Sequence, residues 1–132
     1  EQVLDHHAFH RHQAGDHVLT TIAREVGAVI RRNEIFFRIG GDEFAIMVPE
    51  AEEEHLVLLA RRVCATISHL RFQFEGIEAP ITASLGIAIY PLDAADASQL
   101  IAHGDQAMYA AKVEGKNTCR VFEQAMATHV RE

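Results

Sequence analysis

The chain has 132 residues, 48% of them hydrophobic and 23% charged, with a formal net charge of -7. That length carries one domain with a real core, and the balance is that of an ordinary globular protein. The acidic surplus excludes a protein that coats nucleic acid non-specifically, no apolar run approaches a membrane span, and no signal peptide is visible.

In chain order, "EQVLDHHAFHRHQ" reads as a helix with Val3, Leu4, Ala8 and Phe9 toward an apolar side. "AGDHVLTTIAREVGAVIRR" reads as a second helix, with Asp16 as its N-cap and Val18, Leu19, Ile22, Ala23, Val26, Val29 and Ile30 on one buried face. Arg31 and Arg32 suit the negative end of that helix. Ile35 to Ile39 and Phe44 to Val48 are short runs of strand formers joined at Gly40 and Gly41. Two such runs separated by glycines predict a hairpin, because glycine reaches the positive φ that tight turns need. A third helix follows, acidic at its start, with Leu56, Leu59, Val63 and Ile67 inward. "APITASLGIAIYP" alternates as a strand, with Ile81, Ala83, Leu85, Ile87 and Ile89 on one face. "DASQLIAHGDQAMYAAKVEGKN" predicts a helix broken near Gly104 and stopped at Gly115, and "CRVF" closes the chain as a strand. The predicted order is α-α-β-β-α-β-α-β, with helices covering one face of a mixed or antiparallel sheet.

Cys64 and Cys119 have no metal-type spacing and read as buried free thiols, which suits a reducing cytoplasm. Five histidines, His6, His7, His10, His12 and His17, crowd the start, but they face different directions and have no ligand-spaced partners, so no zinc site is read there. Because the chain begins at Glu1 and not at Met, it is expected to be a piece of a longer protein. Asp42 and Glu43 raise a sharper question. Paired carboxylates at a hairpin turn repel one another unless something positive visits.

"RIGGDEFAIMVP", together with "AGDHVLTTIA", "ITASLGIAIYP", "DQAMYAAKVEGKN" and the closing "VF", resembles the GGDEF domain, the diguanylate cyclase family. The resemblance implies an α/β (α+β) fold like the palm of nucleotidyl cyclases and polymerases, a mixed, largely antiparallel sheet flanked by helices. It implies the condensation of two GTP into cyclic di-GMP and two pyrophosphates, with Mg²⁺ or Mn²⁺. By the same resemblance Asp42 is the metal ligand and general base, and Glu43 is the supporting carboxylate. Gly40 and Gly41 let phosphates approach the backbone. Asp16 accepts hydrogen bonds from the guanine edge, and Lys112 and Lys116 hold the terminal phosphates. Their i, i+4 spacing puts both lysines on one helix face. Arg31 and Glu34 occupy the place of an inhibitory R-x-x-D motif that binds product, with Glu one methylene longer than Asp.

The N-terminus departs from this pattern. In the family a first helix precedes a buried strand with a metal-binding Asp, and then a loop with a guanine-binding Asn. Here Gln13 runs into "AGD", so strand, Asp and Asn lack counterparts. Either residues are missing between Gln13 and Ala14, or the domain has a true deletion. On this reading residues 1–132 are a single, N-terminally incomplete domain, 1–13 its first helix and 14–132 the remainder.

Two functions follow. One is a cyclase acting as a two-fold homodimer, one GTP per domain, controlled by a sensory domain of the parent chain and located in the cytoplasm, either alone or as the cytoplasmic part of a membrane-bound sensor. The other is a degenerate module that binds GTP or cyclic di-GMP as a receptor. No nucleic-acid polymer is an expected partner.

Overall fold

The structure is a computed structural model that describes residues 2–6 and 12–128. The elements are β1 (Gln2–His6), α1 (His12–Gly27), β2 (Ile35–Gly40), β3 (Glu43–Met47), α2 (Glu53–Ser68), β4 (Phe72–Phe74), β5 (Ile77–Ala79), β6 (Ala83–Ile87), α3 (Ala97–Val113) and β7 (Thr118–Val121), with a closing 3₁₀ turn at Gln124–Thr128. Five strands form one sheet in the order β2-β3-β1-β6-β7, and β4 and β5 form a separate hairpin. Three of the neighbouring pairs in the large sheet are antiparallel; β6 and β7 run parallel.

The start of the chain corrects the sequence reading. Residues 2–6 are the central strand of the sheet, paired with β3 on one side and β6 on the other. The strand taken as missing is therefore present, and α1 runs unbroken through Gln13 and Ala14. The rest of the predicted first helix, with His7 and His10, lies outside the described residues. The physical reason for β1 is long-range. Without it β3 and β6 would each present a row of unpaired N–H and C=O groups, and pairing on both sides outweighs a weak local helical pattern.

α1 and α2 cover one face. Val18, Ile22 and Val26 of α1 and Leu56, Leu59, Val63 and Ile67 of α2 pack with Phe44, Ile46, Leu85 and Ile87 of the strands. Each such side chain contributes roughly 1.5–3 kcal/mol when fully buried. α3 covers the opposite face over β6, β7 and β1, with Ala107 packed against Ala88, Phe122 and Met126. The expected one-sided packing is thus two-sided, and all five residues of β6 are buried.

α3 is not broken at Gly104. Its start is capped by Asp96, whose side chain accepts from Gln99 N at 2.8 Å, while Gln99 Oε1 accepts from Ala95 N at 2.7 Å. The glycine that matters in this contact is Gly86 on β6. A Cβ there would lie 2.0 Å from the Gly104 carbonyl oxygen and 2.3 Å from Met108 N, so the helix backbone rests directly on the strand. The β4–β5 hairpin has no clear signal in the sequence. Its turn places Glu75 at φ 56° and Gly76 at φ 79°, and glutamate at the first of these positions is not the Asn or Asp that signals such a turn.

Candidate active site

Strand directions decide which residues meet. β1 is antiparallel to β3 and β6, so the end of β1 and the starts of β3 and β6 share one edge of the sheet. Asp5 stands opposite Glu43 on one side and Ser84 on the other. Ser84 in turn pairs with Thr118, the first residue of β7. The β2–β3 turn, the segment leading into β7 and the start of α1 therefore all come to this end.

The turn is built as the glycines suggest. Gly40 pairs with Glu43, leaving Gly41 and Asp42 as the two loop residues, and Gly41 has φ 52°. The Arg38 guanidinium braces the loop by donating to the Gly41 carbonyl, with Nε at 2.8 Å. Beyond the glycines and their chain neighbours, no described atom lies within 4 Å of where a Cβ would sit on Gly40 or Gly41. Space above this backbone is thus left open to an outside group. Asp42 is partly exposed, whereas the Glu43 side chain is buried.

The two lysines approach from the other side of the same end. α3 stops at Val113, with Glu114 as C-cap and Gly115 at φ 125°. The chain then reverses through Lys116 at φ 65° and Asn117 at φ 51°, and Lys116 N donates back to the Ala111 carbonyl at 3.1 Å. Lys116 is therefore beyond the helix, which corrects the single-face reading of the pair. Left-handed backbone at two successive non-glycine residues costs on the order of 1 kcal/mol each. The Lys112 ammonium is pushed below its ordinary pKa, first by burial and then by repulsion from Lys116. The two ammonium groups are thus near enough to each other to interact.

Asp16 lies inside α1, four residues from its first residue, and is exposed. It is not the N-cap. Arg31 and Glu34 fall elsewhere. They precede Ile35, which pairs with Met47 at the far end of the hairpin, roughly 15–20 Å along β2 from the turn. Glu34 is buried; its Oε1 accepts from Arg31 N at 2.6 Å and its Oε2 lies 3.3 Å from His55 Nε2. Both carboxylate oxygens are engaged within the fold. Arg31 and Arg32 beside it are exposed.

The residue that sequence reasoning missed is Asp5. Its signal was an apolar Val3-Leu4 run ended by a carboxylate, masked by helical spacing downstream. The oxygen donors fit a hard divalent ion such as Mg²⁺ or Mn²⁺. Among the described residues, no cluster of three or more His, Cys, Asp or Glu side chains forms a ready cage. Mg²⁺ does not need one, since it keeps waters and takes one or two carboxylates together with substrate phosphates.

Residues 10–118 match the family model described as diguanylate cyclase, GGDEF domain. The chain belongs to the GGDEF family. It is 35% identical over 121 residues to the bifunctional diguanylate cyclase/cyclic di-GMP phosphodiesterase MucR of Pseudomonas aeruginosa, covering 92% of this chain and 18% of that protein. It is 31% identical to the cyclic di-GMP phosphodiesterase PdeR of Escherichia coli, again over 92% of this chain and 18% of the relative. The GGDEF domain of YfiN, also called TpbB, from Pseudomonas aeruginosa superposes with a TM-score of 0.84 at 29% identity, covering 92% of this chain and 80% of that one. The palm-like mixed α/β fold is that of GGDEF structures. This GGDEF chain thus spans under a fifth of the length of these two curated relatives, and the family ties it to cyclic di-GMP signalling. No helix among the described residues is long and apolar enough to cross a membrane.

Proposed function

We propose that this GGDEF domain is a diguanylate cyclase, condensing two GTP into cyclic di-GMP with release of two pyrophosphates. The observation that carries the reading is the meeting of Asp5, Asp42, Glu43 and the Lys112–Lys116 segment at one end of the sheet. Carboxylates at an open glycine turn, with ammonium groups farther along the same sheet end, suit a triphosphate. Asp5 and Asp42 would hold a divalent ion, which when bound supplies charge stabilisation at the phosphates. Asp42 accepts the proton of an attacking 3′-hydroxyl. Glu43 supports the turn from its buried position. Lys112 and Lys116 bind the terminal phosphates, and an arriving anion relieves their mutual repulsion. Asp16 accepts from the guanine N1–H and N2–H₂, which adenine does not offer. Because each domain holds one GTP, the working species is a two-fold homodimer, regulated by a sensory region elsewhere in the parent protein and acting in the cytoplasm.

The second reading is a non-catalytic module that binds GTP or cyclic di-GMP. Two observations favour it. PdeR is named for phosphodiesterase activity, and only five residues separate β1 from α1, with no Asn among them. The test is incubation with GTP and Mg²⁺, with products separated by chromatography. Cyclic di-GMP that disappears on chelation supports the cyclase. Nucleotide binding without turnover supports the module.

Asp16→Ala separates base recognition from helix stability. Asp16 is exposed within α1, and Ala is the better helix former, so stability should hold or rise by a few tenths of a kcal/mol. Each charge-assisted hydrogen bond lost to guanine costs about 1.5–3 kcal/mol. GTP affinity should therefore fall about tenfold or more while the melting temperature does not. Unchanged GTP affinity, measured by calorimetry, would remove Asp16 from the site.

A further inference from the structure

On the sheet face covered by α2, two thiols share one cavity. Cys64 on α2 and Cys119 on β7 both line a pocket of about 350 Å³, along with Arg61, Ser68, Asn117 and Thr118. Cys64 Sγ points at the Ala83 carbonyl of β6, 3.8 Å away. Cys119 pairs with Leu85 of β6, two residues further along that strand and on the same face. Both cysteines belong to the core side covered by α2. They are thus held over neighbouring positions of one strand, with empty volume beside them.

We infer that Cys64 and Cys119 form a reversible disulfide that ties α2 to β7 when the protein meets a peroxide. Cys119 is the entry point. It is the more accessible of the two thiols; burial raises its pKa above the ordinary thiol value, and the Arg61 guanidinium offsets part of that rise. Cys64 is buried, and its thiol is pushed up to about 12 by desolvation and by Cys119. In the first step the Cys119 thiolate attacks a peroxide oxygen, the O–O bond breaks, and the released hydroxide takes a proton to leave as water. In the second, the Cys64 sulfur attacks the Cys119 sulfenic sulfur; the S–S bond forms, the S–O bond breaks, and a second water leaves with the Cys64 proton. Two thiols and one hydrogen peroxide give one disulfide and two waters. The bridge would anchor β7 just after Lys116 and Asn117, the segment that turns back from α3.

The test is stoichiometric hydrogen peroxide on the full chain, followed by intact mass, peptide mapping and a thermal melt. The expected result is the loss of two hydrogens per monomer, one peptide pair joining Cys64 to Cys119, a raised melting temperature, and reversal of all three by dithiothreitol. In Cys64→Ala, confirmed folded by its own melt, Cys119 should instead gain oxygen without any cross-link. Three outcomes overturn the inference: both thiols still open to alkylation after treatment, oxygen added to Cys119 in the unmodified chain with Cys64 free, or a dimer bridged through Cys119.

Discussion

Asp42→Asn should abolish conversion of GTP into cyclic di-GMP and leave the domain folded. Asp42 is the second loop residue of the β2–β3 turn and is partly exposed, so the swap buries no new group. Asn suits turns as well as Asp does, and stability should change by no more than about 0.5 kcal/mol. On the proposed mechanism, what is lost is a full negative charge at the point where a divalent ion and the triphosphate would meet, and with it the proton acceptor. Removing one fixed electrostatic partner of a transition state costs roughly 10²–10³ in rate. Loss of both roles should reach at least the upper figure. Wild type and variant would be compared by product formation and by melting temperature in the same buffer. Comparable product from both would take Asp42 out of the mechanism, and a collapsed melt would show that the residue serves the turn.

Gly86→Ala should destabilise the domain strongly. The new Cβ would meet the Gly104 carbonyl oxygen at 2.0 Å and Met108 N at 2.3 Å. Both are backbone atoms of α3, so no flexible side chain can give way. The helix must lift from the sheet. Overpacking of a filled core costs about 1–3 kcal/mol and occasionally more, and a clash with backbone on both counts belongs at or above the top of that range. Because α3 delivers Lys112 to the sheet end, the same shift should weaken GTP binding. Gly27→Ala is the control: no described atom lies within 4 Å of its Cβ position, and it should be neutral or slightly stabilising. Denaturant melts of the two variants would check the contrast. Equal stability would show that α3 and β6 tolerate separation.

Some features of this GGDEF domain were determined by the sequence alone, because their causes are local. The Gly40–Gly41 hairpin rests on a positive φ that one glycine supplies. The face of α2 rests on Leu56, Leu59, Val63 and Ile67, spaced three and four apart and all buried. The stop of α3 rests on Gly115. Other features were decided only by tertiary structure, because their causes are distant in the chain. β1 is a strand because β3 and β6 need a partner between them, and five residues carry too little local pattern to declare it. Gly104 does not break its helix, because burial against Gly86 rewards an unbroken one. Glu34 closes its own turn and meets His55, a partner 21 residues away that no local spacing announces. Asp5 joins the acidic turn only through strand register. Spacing along the chain sets what a helix face or a turn will be; which carboxylates come to share one end of a sheet depends on pairing energies between segments that the chain keeps far apart.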